Sequence, residues 1–155
     1  MIEIGISNEQ ESLDIDGVRL RQAIEWILSD AEVHTAEISV AIIDDPTMHQ
    51  LNREHLKHDY PTDVLSFVLE RSESSLDGEV IVSADTAIAR AAEFHLPPED
   101  ELLLYVIHGT LHLVGYDDKE ASKRVLMRQQ ESRYLAKFDV HLPDDRSSSV
   151  VRPDL

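Results

Sequence analysis

The chain has 155 residues, of which 31 are acidic and 14 are basic, so its formal charge at pH 7 is -17. Its length predicts a single domain, and its acidity excludes a general binder of polyanions such as DNA, because phosphate backbones attract basic surfaces. The absence of cysteine excludes disulfides and thiolate metal sites, which leaves His, Asp and Glu as metal ligands.

The N-terminal segment and the apolar runs predict neither secretion nor insertion into a membrane. The N-terminal segment MIEIGISNEQE has neither the basic start nor the apolar core of a secretory signal, and the densest apolar run, 102–107, is too short to span a bilayer. We therefore expect a cytoplasmic protein with no membrane partner. Segment 143–155 has the serines, prolines and charges of a mobile tail, so we predict one domain over residues 1–142.

The first part of the chain is predicted to alternate between strands and helices. A short strand over residues 2–6 is followed by a helix whose N-cap is Asp16, since apolar residues then recur at helical spacing. Alternating apolar residues predict a strand over 36–43. The next helix is predicted to have Asp45 as its N-cap, with a proline at its first position, and to end near Lys57.

The second part is predicted to be mostly helical. A strong strand over 63–69 and a β-branched strand over 80–82 are separated by a polar, serine-rich loop over 71–78. Three helices follow, over residues 84–95, 98–114 and 119–138. This order favours an α+β domain or a three-layer α/β one. We predict α+β, with a small mixed sheet packed against several helices and a central buried helix that carries the metal ligands.

One constellation carries chemistry, in the segment HGTLHLVGYDD that begins at His108. His108 and His112 lie four residues apart on a predicted helix, so both imidazoles project from one face and can share a metal ion. Gly115 is suited to ending the helix in a left-handed turn, after which Asp118 can return to the open side of the histidines. This predicts a His-His-Asp site with a free coordination position, as catalytic zinc sites have.

Two other interpretations of this segment are weaker. The histidine pair alone is equally compatible with two polar side chains that face a neighbouring helix, and the glycine and the acid at fixed offsets are what favour a metal. The spacing also occurs in metzincin proteases, which carry a glutamate directly after the first histidine as general base. Gly109 stands there in this chain and cannot accept a proton, which makes peptide hydrolysis a minor alternative.

Three stretches of the chain resemble the YbeY family of bacterial endoribonucleases, also called rRNA maturation factors. HGTLHLVGYDD is similar to the family's HGxLHLxGYDH signature, and LNREHLKHDYPTDVLSF is similar to its LN…D-x-PTDVLSF segment. GEVIVSADTA is similar to its GDIxIS segment. The three stretches occur in the family's order and spacing, and together they span about residues 51–118.

The resemblance implies a metal-dependent, single-strand-specific endoribonuclease that acts in maturation of the small-subunit rRNA 3′ end and in ribosome quality control. Carried over by position, the metal ligands and catalytic residues are His108, His112 and Asp118. One Zn²⁺ per chain is the expected cofactor. The expected partners are rRNA or other single-stranded RNA, ribosomal proteins and a ribosome-associated GTPase.

The chain departs from the family pattern at positions that bear on the site. Asp118 stands where the family usually has His. Its carboxylate would lower the net charge of a zinc site to about +1 and would suit harder cations such as Mn²⁺. The adjacent Asp117 is an alternative third ligand or a residue that orients water. Leu56 stands where many members carry Arg, which leaves the contact to phosphate at that position open.

The PTDV segment supplies candidates for lining the site. His58, Asp59, Thr62 and Asp63 flank or form this segment, and they reach the metal only if the fold brings the segment over it. Turn capping is the alternative role for Thr62 and Asp63. The motif itself supplies no evident general base.

The last predicted helix is a candidate for contact with RNA. Six basic residues stand against Glu120 and Glu131 between positions 119 and 137, which allows a local phosphate track beside the metal. The candidates for RNA contact are Lys119, Lys123, Arg124 and Arg128. The alternative is a solvated helix face on which Glu120 forms an ion pair with a neighbouring basic residue, Lys123 or Arg124.

Three functions are therefore compatible with the sequence. The first is a metal-dependent endoribonuclease, and the second is a non-catalytic ribosome-assembly factor with a structural metal. The strongly acidic composition keeps the second in consideration, because it suits contacts with basic ribosomal proteins better than contacts with naked RNA. A metzincin-like metalloprotease is third.

Overall fold

A computed structural model describes residues 1–56 and 63–143 of the protein. Within these ranges the strands are β1 (Ile2–Asn8), β2 (Thr35–Ile43), β3 (Val64–Arg71) and β4 (Ser75–Ser83). The α-helices are α1 (Gly17–Asp30), α2 (Asp45–Leu51), α3 (Ala84–Glu93), α4 (Pro98–Leu113) and α5 (Ala121–Ala136). A π-helical stretch, Asn52–Leu56, continues α2.

The four strands form one mixed sheet in the order β1-β2-β4-β3. β1, β2 and β4 are parallel, and β3 runs antiparallel to β4. The pairing of β3 with β4 shifts register between Val68 and Glu70, where β3 bulges. A mixed sheet packed against several helices confirms the predicted α+β class.

Helix α4 lies at the centre of the molecule. It packs against α1, α3 and α5 and against strands β3 and β4. Every position from Glu101 to Leu113 is buried except His112. Because the helix is surrounded, its apolar residues cover its whole circumference instead of one stripe. This confirms the predicted central buried helix.

The two faces of the sheet are covered differently. Residues such as Ile38 and Val80 point into the main core with the helices. On the opposite face, Met48 of α2 packs against Ile43 and Leu65 and forms a second, smaller cluster. The strands alternate between the two faces, so the side chains between the core positions belong to this less covered face.

The loop predicted over 71–78 is wrong, because β4 begins at Ser75. Leu76 and Gly78 are buried and pair with the neighbouring strands. A Cβ on Gly78 would lie only 2.9 Å from the Leu113 side chain, so the helix packs where the strand has no side chain. The missing side chain interrupts the apolar alternation that predicts a strand.

Several helix boundaries also differ from the predictions, in α2 and α5 among others. The N-cap of α2 is Asp44, not Asp45, and its carboxylate accepts a hydrogen bond from the Thr47 backbone N–H at 2.9 Å. Hydrogen bonds from the Thr47 hydroxyl and N–H lower the pKa of Asp44. Helix α5 begins at Ala121 instead of 119 and ends at Ala136 instead of 138.

The ends of the predicted domain stay a prediction. Val140 is buried and Leu142 packs against the core, while residues 144–155 of the predicted tail lie outside the described residues. Within the part of the chain that is described, none of the helices is both long and apolar enough to cross a membrane.

Candidate metal centre

The packing of α4 on the sheet determines where its histidines project. Gly109 lies against the sheet, where a Cβ would meet Val80 Cγ1 at 2.6 Å, Ser66 Oγ at 3.0 Å and Val64 Cγ2 at 3.1 Å. The Ser66 hydroxyl donates to the Gly109 carbonyl at 3.0 Å. A glutamate after His108, as metzincins have, would therefore find no room. The packing of Gly109 thus agrees with treating peptide hydrolysis as a minor alternative.

The turn after α4 brings the chain back to the histidines. Gly115 has a φ of +111°, a conformation that other residues rarely adopt. The Gly115 N–H donates to the His112 carbonyl at 3.1 Å, and the Tyr116 N–H donates to the Leu111 carbonyl at 3.0 Å. The predicted glycine stop is confirmed, and the reversal places Asp118 beside both imidazoles.

Two arginines brace this turn from outside. Arg71 of β3 donates to the Leu113 carbonyl at 2.9 Å and to the Val114 carbonyl at 3.4 Å. Arg124 of α5 donates to the carbonyls of Asp118 and Lys119 at 3.3 Å and 3.1 Å. The backbone on both sides of Gly115 is thus held by side chains from other elements.

His108, His112 and Asp118 form a triangle of donor atoms that could hold a metal ion. His108 Nε2 lies 3.1 Å from His112 Nε2 and 3.4 Å from Asp118 Oδ2, and His112 Nε2 lies 3.6 Å from Asp118 Oδ1. Tetrahedral ligands at zinc distances of about 2.0–2.1 Å lie about 3.3–3.4 Å from one another. The three separations fit such an ion, and nitrogen and carboxylate donors suit zinc.

The triangle is closed on one side and open on the other. His108 is only 2% exposed, whereas the side chains of His112 and Asp118 are 22% and 21% exposed. A catalytic metal site needs such an open side for water or substrate. The exposed side of the triangle is therefore compatible with the predicted open coordination position, because solvent can reach a bound metal there.

Both carboxylate oxygens of Asp117 contact groups outside the triangle. Its Oδ1 accepts a hydrogen bond from the Lys119 N–H at 3.0 Å, and its Oδ2 lies 3.9 Å from Lys123 Nζ. The bond from the Lys119 N–H lowers the pKa of Asp117. Of the two adjacent acids, Asp118 is the one whose oxygens meet the histidines.

A fourth residue, which was not among the predicted site residues, contacts the site. Glu131 of α5 is buried, and its Oε2 forms a hydrogen bond with His108 Nδ1. By composition, Glu131 is only an acid among basic residues. Its spacing from the buried residues Met127, Tyr134 and Leu135 was the signal that places it on the inner face of the helix.

The basic residues of the last helix lie near the site in different ways. Lys119 and Lys123 are exposed. Arg124 and Arg128 are half-buried, and the guanidinium of Arg124 is engaged by the turn that carries Asp118. Among the predicted RNA contacts, the two lysines are therefore the most accessible to a ligand.

The PTDV segment is described only in part. His58, Asp59 and Thr62 lie outside the described residues, so their predicted place beside the metal stays a prediction. Asp63 is buried, and its carboxylate accepts from the Val64 N–H at 2.7 Å. Its carbonyl accepts from the Ser83 N–H at 3.1 Å, which ties the start of β3 to the end of β4.

The chain is similar to known proteins over most of its length. A family model described as Endoribonuclease YbeY matches residues 5–139. A curated protein of that name from Rhodopirellula baltica is 45% identical over 121 residues, which cover 76% of this chain and 62% of that protein. Another, from Chloroherpeton thalassium, is 41% identical over 79% of this chain and 86% of its own length.

A solved structure shows the same fold. The solution structure of a Thermotoga maritima protein is 26% identical to this chain and superposes with a TM-score of 0.59. The alignment covers 96% of each chain. The whole described fold, including the sheet and the central helix, therefore has a counterpart of known structure.

Proposed function

The chain belongs to the YbeY endoribonuclease family, and from that premise we propose that it is a metal-dependent endoribonuclease that cleaves single-stranded RNA. The observation that carries the proposal is the donor triangle of His108, His112 and Asp118, whose separations suit one small divalent cation. These three residues are the proposed metal ligands and the proposed catalytic residues. Zn²⁺ is the proposed cofactor, with Mn²⁺ as an alternative because of the carboxylate ligand.

A divalent cation in the triangle would supply Lewis-acid chemistry, which withdraws charge from an attacked phosphate and makes water more acidic. The chain supplies the placement. His108 anchors the site in the core, while His112 and Asp118 form its solvent-exposed rim. Lys119 and Lys123 stand next to that rim and are suited to contacts with the RNA backbone.

The biological substrate is proposed from the family resemblance. We place the activity in maturation of the small-subunit rRNA 3′ end and in ribosome quality control, in the cytoplasm. Ribosomal proteins and a ribosome-associated GTPase are the proposed partners. This assignment agrees with an overall charge of -17, which suits basic protein partners.

The proposal is tested by removing the metal. We expect the purified chain to cleave a single-stranded RNA oligonucleotide, to lose that activity with a chelator, and to regain it with added Zn²⁺ or Mn²⁺. Duplex RNA of the same sequence is the matched control for strand specificity, and casein is the control for proteolysis. Cleavage of casein without cleavage of RNA, or RNA cleavage that persists in excess chelator, would refute the proposal.

One surface feature favours a ribosome-assembly function beside the catalytic one. The strand register places Glu3 beside Glu37, Glu37 beside Asp77, and Asp77 beside Glu70, so four acids cross the whole sheet on its less covered face. We call this set the acidic row. Next to it lies a shallow cavity of about 360 Å³ whose lining includes Glu79. A basic protein segment is the occupant that this charge suits.

Reversing the charge of the acidic row separates the two functions. We expect Glu37→Lys combined with Asp77→Lys to weaken association with small ribosomal particles and to leave cleavage of a short RNA unchanged, since the row lies on the sheet and the triangle lies on α4 and the turn after it. Co-sedimentation and the oligonucleotide assay measure the two properties. Glu25→Lys, an exposed acid on α1, is the control for a general change of charge. Unchanged co-sedimentation would contradict the role of the row.

A further inference from the structure

Glu131 is a buried carboxylate that the proposed mechanism leaves without a role. It is 3% exposed and lies on the inner face of α5 with Met127, Tyr134 and Leu135, which are buried. Placing an ionisable group among such neighbours is costly unless it is paired. Its Oε2 is paired with His108 Nδ1, on the side of the ring opposite to the donor triangle.

The contact has a direct consequence for the histidine ring. A neutral imidazole carries its proton on one nitrogen and a lone pair on the other. An ionised carboxylate only accepts hydrogen bonds, so an ionised carboxylate at this position pairs with a His108 ring that carries its proton on Nδ1. The lone pair of His108 then lies on Nε2, which is 3.1 Å from His112 Nε2 and 3.4 Å from Asp118 Oδ2.

We propose that Glu131 is a positioning residue that holds His108 in the Nδ1–H tautomer, with its Nε2 lone pair directed into the metal site. The inference rests on the proposed metal centre and adds a residue outside the His-His-Asp set. Carboxylates that accept a hydrogen bond from a metal-binding histidine fix the ring and strengthen it as a ligand.

Helix α5 thereby holds the site at two points. Glu131 contacts one ligand directly, and Arg124, seven residues earlier on the same face of the helix, donates to the backbone of Asp118. Both contacts lie where α5 packs against α4 and the turn that follows α4. The alignment of the two ligands therefore depends on a helix that contributes no ligand itself.

The test measures zinc affinity by competition with a chromophoric chelator. We expect Glu131→Gln, which keeps the size of the side chain, to raise the Kd for Zn²⁺ by about 10–100-fold. Glu101→Gln is the matched control, because Glu101 is also buried but lies two helical turns before His108 on α4. We expect it to lower the Tm and leave the Kd unchanged.

A second measurement needs no variant. Nitrogen-15 NMR of the histidine rings in the chelator-treated wild-type chain, at alkaline pH, reports which ring nitrogen of His108 carries the proton. We expect Nδ1–H. An Nε2–H tautomer, or an unchanged Kd in Glu131→Gln, would overturn the role of Glu131 alone. A wild-type chain with the Nδ1–H tautomer and no measurable affinity for Zn²⁺ would overturn the metal centre, and this role with it.

Discussion

Replacing His112 with alanine is expected to lower metal-dependent RNA cleavage by more than about 100-fold, because losing a ligand should cost at least as much as losing a residue that only supports one. The His112 imidazole supplies two of the three edges of the donor triangle. Its side chain is 22% exposed, so its removal leaves no closed cavity in the core. We therefore expect the variant to fold, with a Tm close to that of the wild type.

The measurement compares initial rates on a single-stranded oligonucleotide at saturating Zn²⁺, together with the zinc content of the purified protein. His141→Ala is the matched control, because the His141 side chain is 71% exposed and lies outside the triangle. It should keep full activity and full zinc content. A His112→Ala protein that retains wild-type zinc content would show that this side chain is not a ligand.

Replacing Gly109 with alanine is expected to lower the free energy of unfolding by about 1–3 kcal/mol, the usual cost of overpacking a core. The added methyl group would lie 2.6 Å from Val80 Cγ1. Val80 is fully buried and β-branched, so its side chain has little freedom to move. The helix would have to lift from the sheet, and this outweighs the better helix propensity of alanine, about 1 kcal/mol.

Urea denaturation measures this effect, and Gly5→Ala is its control. A Cβ on Gly5 of β1 meets nothing within 4 Å, so the same change there should alter stability by less than about 0.5 kcal/mol. If Gly109→Ala were as stable as the wild type, the close packing of α4 on β3 and β4 would be refuted. Loss of zinc affinity beyond the loss of stability would show that the histidines move with the helix.

The features that were predictable from sequence are those whose cause is local. The apolar run over 102–107, followed by Gly115, was enough to predict a buried helix with a stop. The spacing of His108 and His112 was enough to place their side chains on one face. These signals lie within one helix and its turn, and they depend little on what packs against them.

The features that were not predictable depend on distant partners. The start of β4 at Ser75 depends on its pairing with Thr35 of β2, and Gly78 follows where Leu113 packs against the strand. The role of Glu131 depends on α5 meeting His108 across 23 residues of sequence. An acid among basic residues contributes the same charge whether it is solvated or buried, so a count of charges could not show that Glu131 is buried. His58, Asp59 and Thr62 stay a prediction.

The bulge in β3 has a consequence for self-association. β3 is an edge strand of the described sheet, and exposed edge strands are templates for pairing with another chain. Here Val68 and Leu69 are exposed and apolar, but the register breaks beside them and the charged residues Glu70 and Arg71 follow. A second copy that paired with β3 would need a continuous ladder of backbone hydrogen bonds. The bulge interrupts that ladder beside the exposed apolar residues, which protects the protein against edge-to-edge aggregation.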